Sequence, residues 1–109
     1  MANKDFEGAL LKRLSGCDMD ADKLRLHVRD IVELQKAKVD ILDSFPMGKI
    51  NPDGIGVLAR TKFDELSNVL KLASQYPSIR HIELFPYGIP FPIWWDVRMT
   101  LSDRVQNRF

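Results

Sequence analysis

Residues 85–101, FPYGIPFPIWWDVRMTL, decide the fold that we predict for this chain. The first eight of them hold three prolines, one glycine and three aromatic residues. The remainder alternates in character, with Ile93, Trp95, Val97, Met99 and Leu101 on one side and Trp94, Asp96, Arg98 and Thr100 on the other. Alternation with a period of two is typical of a half-buried β-strand. We therefore predict a strand over residues 93–101 with a rigid aromatic loop at its entrance, with Trp95 on the buried face and Trp94 on the opposite one.

Upstream of this segment the sequence predicts a strand, a helix and a second strand. The strands span residues 55–60 and 79–85, and the helix between them begins near Thr61, places Phe63 on its packed side and ends before Pro77. A helical connection of this length predicts that the two strands pair in parallel through a right-handed crossover. The strand at 93–101 should then return antiparallel to the strand at 79–85.

The N-terminal part of the chain has the spacing of two helices, over residues 4–15 and 21–44. Apolar residues cover well over half of the circumference of the second helix, more than an ordinary surface helix shows. We therefore expect this helix to be covered on two sides, with His27 on the covered side. A second copy of the chain is one candidate for the extra cover, so a homodimer is predicted.

These elements predict an α+β fold in a single domain, residues 1–109. A helical segment, 4–44, precedes a β-α-β-β segment, 55–101. The predicted sheet has three strands in a mixed arrangement, with the helices on one face. An antiparallel return strand beside a parallel pair leaves two sheet edges and an open face.

Composition excludes several classes of protein. The chain has 109 residues, with 16 basic and 15 acidic side chains and a net charge of +1, so it lacks the strong positive charge of nucleic-acid-binding domains. No apolar run approaches the length of a membrane span, so no membrane association is predicted. A single cysteine, Cys17, permits no intramolecular disulfide, which favours a reducing cytoplasmic location.

One group of polar residues has the composition of an acid–base site. His81 and Glu83 alternate on one predicted strand and Asp96 and Arg98 on the next, so pairing of the strands would place all four on one face. A small enzyme or ligand-binding protein using this face is therefore the alternative hypothesis. The simpler interpretation is a solvated sheet face with cross-strand ion pairs. No motif indicates a metal site or a cofactor, and we predict neither.

The aromatic loop is the predicted functional surface. One hypothesis is that Tyr87, Phe91 and Trp94 form an exposed anchor for a protein partner, because tyrosine and tryptophan are enriched in interfaces. The competing hypothesis is that the loop folds back and caps the core. We predict a small cytoplasmic, non-catalytic interaction or accessory protein that binds a protein partner through this proline-rich hairpin loop.

Overall fold

The computed structural model describes residues 2–15, 19–48, 54–87 and 93–102. The described chain is α+β, with three α-helices and a four-stranded antiparallel sheet. The elements in chain order are α1 (Ala2–Arg13), α2 (Ala21–Lys36), β1 (Asp40–Pro46), β2 (Ile55–Lys62), a 3₁₀ turn (Phe63–Glu65), α3 (Leu66–Ala73), β3 (Ile79–Tyr87) and β4 (Trp94–Leu101). Predictions about Cys17 and Phe91 lie outside the described residues.

The sheet differs from the predicted one in the number of its strands and in their order. The spatial order is β1-β2-β4-β3, and every neighbouring pair is antiparallel. The predicted three-stranded mixed sheet is therefore wrong. Strands β2 and β3 do run in the same direction, because both are antiparallel to β4. They do not pair, since β4 is inserted between them and takes the backbone hydrogen bonds on both sides.

The second predicted helix is too long, because α2 ends at Lys36 and the chain continues as β1. Lys38 adopts a left-handed backbone conformation, with φ of 73°. The Val39 N–H then donates to the Leu34 carbonyl at 3.1 Å, which is the hydrogen bond of a Schellman ending. Glycine usually occupies this position. Because a lysine stands here instead, the sequence pattern did not predict the end of the helix.

One apolar core lies between the three helices and one face of the sheet. Helix α1 packs on α2 and β1, and α3 packs on β2. The alternation predicted for β4 is confirmed, since Val97, Met99 and Leu101 are buried and Trp95 is half-buried. The core side chains are Leu10, Leu14, Val28, Ile31, Val32, Leu34, Val39, Ile55, Val57, Ala59, Val69, Ala73, Val97, Met99 and Leu101.

The helical part of the fold ties to the edge of the sheet through Arg13. Its Nε donates to the Ser44 carbonyl at 2.8 Å, and its Nη2 lies 2.8 Å from an Asp43 carboxylate oxygen.

His27 is buried on α2, as predicted. Within the described part of the chain, no helix combines the length and the apolar character that crossing a bilayer requires.

Candidate functional site

The four polar residues of the predicted acid–base group do share the sheet face that points away from the helices. Glu83 on β3 lies directly opposite Arg98 on β4, and His81 lies opposite Thr100. Asp96 lies one pleat further along β4, between Arg60 of β2 and Phe85 of β3. We call this surface the open sheet face, because the buried core lies on the other side of the sheet.

The side chains of this group divide among three separate contacts. Asp96 accepts a hydrogen bond from Arg60 Nε at 2.8 Å. This ion pair is the more buried one, since 31% of the Arg60 side chain and 19% of the Asp96 side chain are exposed. His81 Nε2 lies 3.2 Å from a Glu83 carboxylate oxygen, in a pair that is more than half exposed. The third contact places Arg98 Cζ 4.3 Å from the centre of the Phe85 ring.

This arrangement resembles a solvated sheet face more than an acid–base centre. General acid–base catalysis requires groups that converge on one reacting position. Here the most buried carboxylate, Asp96, is already held by an arginine, and the histidine pairs with its neighbour on the same strand. Among the described residues, no group of three or more histidine, cysteine, aspartate or glutamate side chains could hold a metal ion.

Two of the predicted partner-binding residues, Tyr87 and Trp94, lie at the end of the sheet where β3 ends and β4 begins. Trp94 is the first residue of β4, and 36% of it is exposed. The Nζ atom of Lys62 lies 5.6 Å from the centre of the Trp94 ring. Tyr87 is the backbone partner of Trp94 across the β3–β4 pair. The structure therefore brings two of the three predicted positions together.

Two further apolar residues at this end of the sheet were not predicted as exposed. Phe63 is 63% exposed and Ile93 is 62% exposed, the highest values among the large hydrophobic side chains that the structure describes. The Phe63 N–H donates to the Ile93 carbonyl at 2.9 Å, which fixes these residues side by side. We call this end of the sheet, with the exposed side chains of Phe63, Ile93 and Trp94, the hairpin end.

Sequence reasoning placed Phe63 on the packed side of a helix and Ile93 on the buried face of a strand. Both placements were wrong. Phe63 is the first residue of a 3₁₀ turn that precedes α3, and Ile93 precedes the first residue of β4. Neither residue therefore follows the side-chain periodicity of the helix or strand next to it. The Phe63 ring lies 6.5 Å from the Trp95 ring, tilted by 35°. A groove of about 490 Å³ runs from Phe63 along α3, past Leu66 and Leu70.

A separate depression crosses the open sheet face. Its volume is about 310 Å³, and its apolar wall consists of Phe45, Met47 and Leu58. The Phe45 ring lies over Gly56 on the neighbouring strand, where any side chain would overlap it. Arg98 lies on the opposite, polar side of the depression together with Glu83 and Thr100. We call this site the open-face depression.

The two surfaces differ in the contacts that they offer. The hairpin end presents apolar and aromatic area beside one lysine, whereas the open-face depression combines an apolar wall with an arginine. Neither surface contains a converging set of acid, base and nucleophile among the described residues. The chain matches no protein-family model, and comparison with curated proteins and with solved structures finds no similar protein.

Proposed function

We propose that this protein is a small, non-catalytic interaction protein that binds a protein partner through the hairpin end and the aromatic, proline-rich loop that continues from it. The observation that carries the proposal is the exposure of Phe63 and Ile93, at 63% and 62%, at the same end of the sheet as Trp94, of which 36% is exposed. Large apolar side chains that cluster on a surface are typical of interaction sites. Aromatic anchors also account for much of the free energy of binding in protein interfaces.

The charges of the neighbouring sheet face support a protein rather than a nucleic acid as the partner. A phosphate backbone is bound by a continuous stripe of positive charge. On the open sheet face Arg60 is neutralised by Asp96, and Glu83 lies opposite Arg98. Positive and negative groups therefore alternate across the face, as is usual in interfaces between proteins.

The polar residues support the non-catalytic proposal over the alternative of a small enzyme. His81, Glu83, Asp96 and Arg98 share a face but make three separate contacts. The face is also open, so it does not provide the dry pocket in which acid–base groups work efficiently. A location in a reducing cytoplasm, based on the single cysteine of the chain, completes the proposal.

The proposal is tested by comparing the partners that the parent protein captures with those that a double variant of the hairpin end captures. Phe63→Ser with Ile93→Ser removes the two most exposed large apolar side chains of the described residues, neither of which belongs to the core cluster. The matched control is Leu42→Ser, which removes an apolar group that is 43% exposed on β1. Tagged proteins are used to capture partners from a lysate of the source cells, and each captured protein is then titrated in purified form against all three proteins by calorimetry.

We expect the double variant to melt close to the parent temperature and to bind the purified partner at least about tenfold more weakly, since interface anchors contribute on the order of 2 kcal/mol each. The control should bind like the parent. If the double variant binds as tightly as the parent, the hairpin end is not the binding surface. If it unfolds far earlier than the parent, these side chains support the core and the recognition proposal fails.

Self-association through α2 is a second part of the proposal. The predicted dimer relied on a helix over residues 21–44, and the shorter α2 buries its apolar face against α1 and the sheet. Leu26 is the large apolar side chain of α2 that is most exposed. Light scattering of the parent and of Leu26→Ser tests the dimer, because an α2 interface predicts that the Leu26→Ser variant becomes monomeric. A monomeric parent would contradict the homodimer.

A further inference from the structure

Two cations of the open sheet face differ from Arg60 in their surroundings. Arg60 pairs with the Asp96 carboxylate, and the Glu83 carboxylate lies against His81. Arg98 and Lys62 instead lie over the rings of Phe85 and Trp94, and within the described ranges neither has a carboxylate within ion-pair distance. These two positions are where the face can accept an anion without first breaking an existing ion pair.

Of the two, Arg98 is the better placed for a specific contact. Its guanidinium lies 4.3 Å from the Phe85 ring centre, a stacking distance that restrains the group before any ligand arrives. A guanidinium stacked in this way keeps the N–H donors along its edges, and these match the two oxygens of a carboxylate. The nearest acid by strand pairing is Glu83, whose carboxylate lies 3.2 Å from His81 Nε2.

The same arginine borders the open-face depression, whose far wall is apolar. The wall is preformed, because the Phe45 ring occupies the space that Gly56 leaves above β2. Leu58 continues the wall directly opposite Arg98 across the β2–β4 pair. The volume of about 310 Å³ is at the lower end of the range for small binding pockets and accommodates one large side chain.

We propose that the open-face depression binds an acidic residue of a protein partner together with the large apolar residue next to it. The carboxylate pairs with the Arg98 guanidinium, and the apolar side chain packs against Phe45 and Leu58. Charge complementarity decides the occupant, because Arg98 has no carboxylate within ion-pair distance among the described residues, whereas Glu83, which also lines the depression, lies against His81. A nucleic acid would need several such cations in a row, and here Asp96 and Glu83 interrupt them.

The inference rests on the proposed function, since it names the chemistry of the partner segment. Trp94 and Arg98 are four residues apart on β4, which is about 14 Å at a strand rise of roughly 3.4 Å per residue. An extended partner segment that contacts both surfaces would therefore have its acidic residue about four residues away from the residue that packs on the hairpin end.

Nuclear magnetic resonance titration with short peptides tests the depression by itself. The probe is an acetylated and amidated leucine–aspartate–leucine tripeptide, and its partner probe has asparagine in place of aspartate. The variant is Arg98→Gln, and the matched control is Arg25→Gln, which removes the same charge from an exposed arginine on α2. A short oligothymidylate serves as the nucleic-acid probe.

We expect the aspartate peptide to shift the signals of Leu58 and of the Arg98 Nε–H group, and to bind the Arg25→Gln control as it binds the parent. Asparagine in the probe, or Arg98→Gln in the protein, removes the charge-assisted hydrogen bonds between the probe carboxylate and the guanidinium. Either change should weaken binding about tenfold or more. Equal binding of the two peptides, no binding of either, or tighter binding of the oligothymidylate would overturn the inference.

These results are separate from the test of the hairpin end. If the tripeptide fails to bind while the Phe63 and Ile93 double variant still loses its partner, the inference about Arg98 is wrong and the proposed function stands. If the tripeptide binds through Arg98 while the double variant retains its partner, the acidic site stands and the proposed role of the hairpin end is wrong.

Discussion

Replacement of Trp95 by alanine should lower the free energy of unfolding by about 3 kcal/mol, and the same replacement of Trp94 by about 1 kcal/mol. The two tryptophans are neighbours on β4, so the paired variants differ only in the face of the sheet that loses its indole. Trp95 lies on the side of the core, half-buried, opposite the buried Thr61 and 6.5 Å from the Phe63 ring. Trp94 is on the other face, and 36% of it is exposed.

The magnitudes follow from this difference in burial. Removal of a fully buried tryptophan costs roughly 3–5 kcal/mol, and partial burial of Trp95 places it at the lower end of that range. Trp94 loses the cation–π contact with Lys62, worth about 0.5–1 kcal/mol at an exposed position, and some apolar contact area. A difference of about 2 kcal/mol corresponds to a separation of melting temperatures of roughly 10 °C for a domain of this size.

Urea unfolding and thermal melting of the two variants measure the difference directly. Each variant retains one tryptophan, so fluorescence also reports where that indole lies. We expect emission at shorter wavelength from the Trp94→Ala variant, in which only the half-buried Trp95 remains. Equal losses of stability from the two changes, or emission in the reverse order, would refute the assignment of these residues to opposite faces of β4.

Two further predictions concern α2 and the turn after α3. Lys38→Gly should raise the free energy of unfolding by about 0.5 kcal/mol, because Lys38 has φ of 73° and glycine adopts this conformation without strain; a lower urea midpoint would contradict this. Burial, followed by the charges of Glu33 and Asp30, raises the pKa of Tyr76 above 10.0. The folded state therefore releases the Tyr76 proton at a higher pH than the unfolded state does. The contribution of Tyr76 to the free energy of unfolding is complete below pH 10.0 and is lost as pH rises through the raised pKa. Urea midpoints measured across that range should fall less steeply for Tyr76→Phe than for the parent or for Tyr87→Phe.

Part of the candidate site could be predicted from local sequence patterns. Alternation along β4 placed Asp96 and Arg98 on one face with Trp94, and the alternation of β3 placed His81 and Glu83 on the same face once the strands paired. The exposure of Phe63 and Ile93 could not be predicted in this way. Both residues lie just outside regular elements, and the exposure of such residues depends on which other segments pack above them.

The sequence by itself determined the α+β class, the approximate positions of β2, α3, β3 and β4, and which side of β4 faces the core. These features follow from the repeat of side-chain direction along a single segment, so a local pattern is sufficient. Only the tertiary structure decided that β4 pairs between β2 and β3, and that residues 40–46 form a strand at the edge of the sheet. Strand order depends on hydrogen bonds between segments that are distant in sequence, and the end of α2 depends on one exposed lysine in a left-handed backbone conformation, so neither has a local signature.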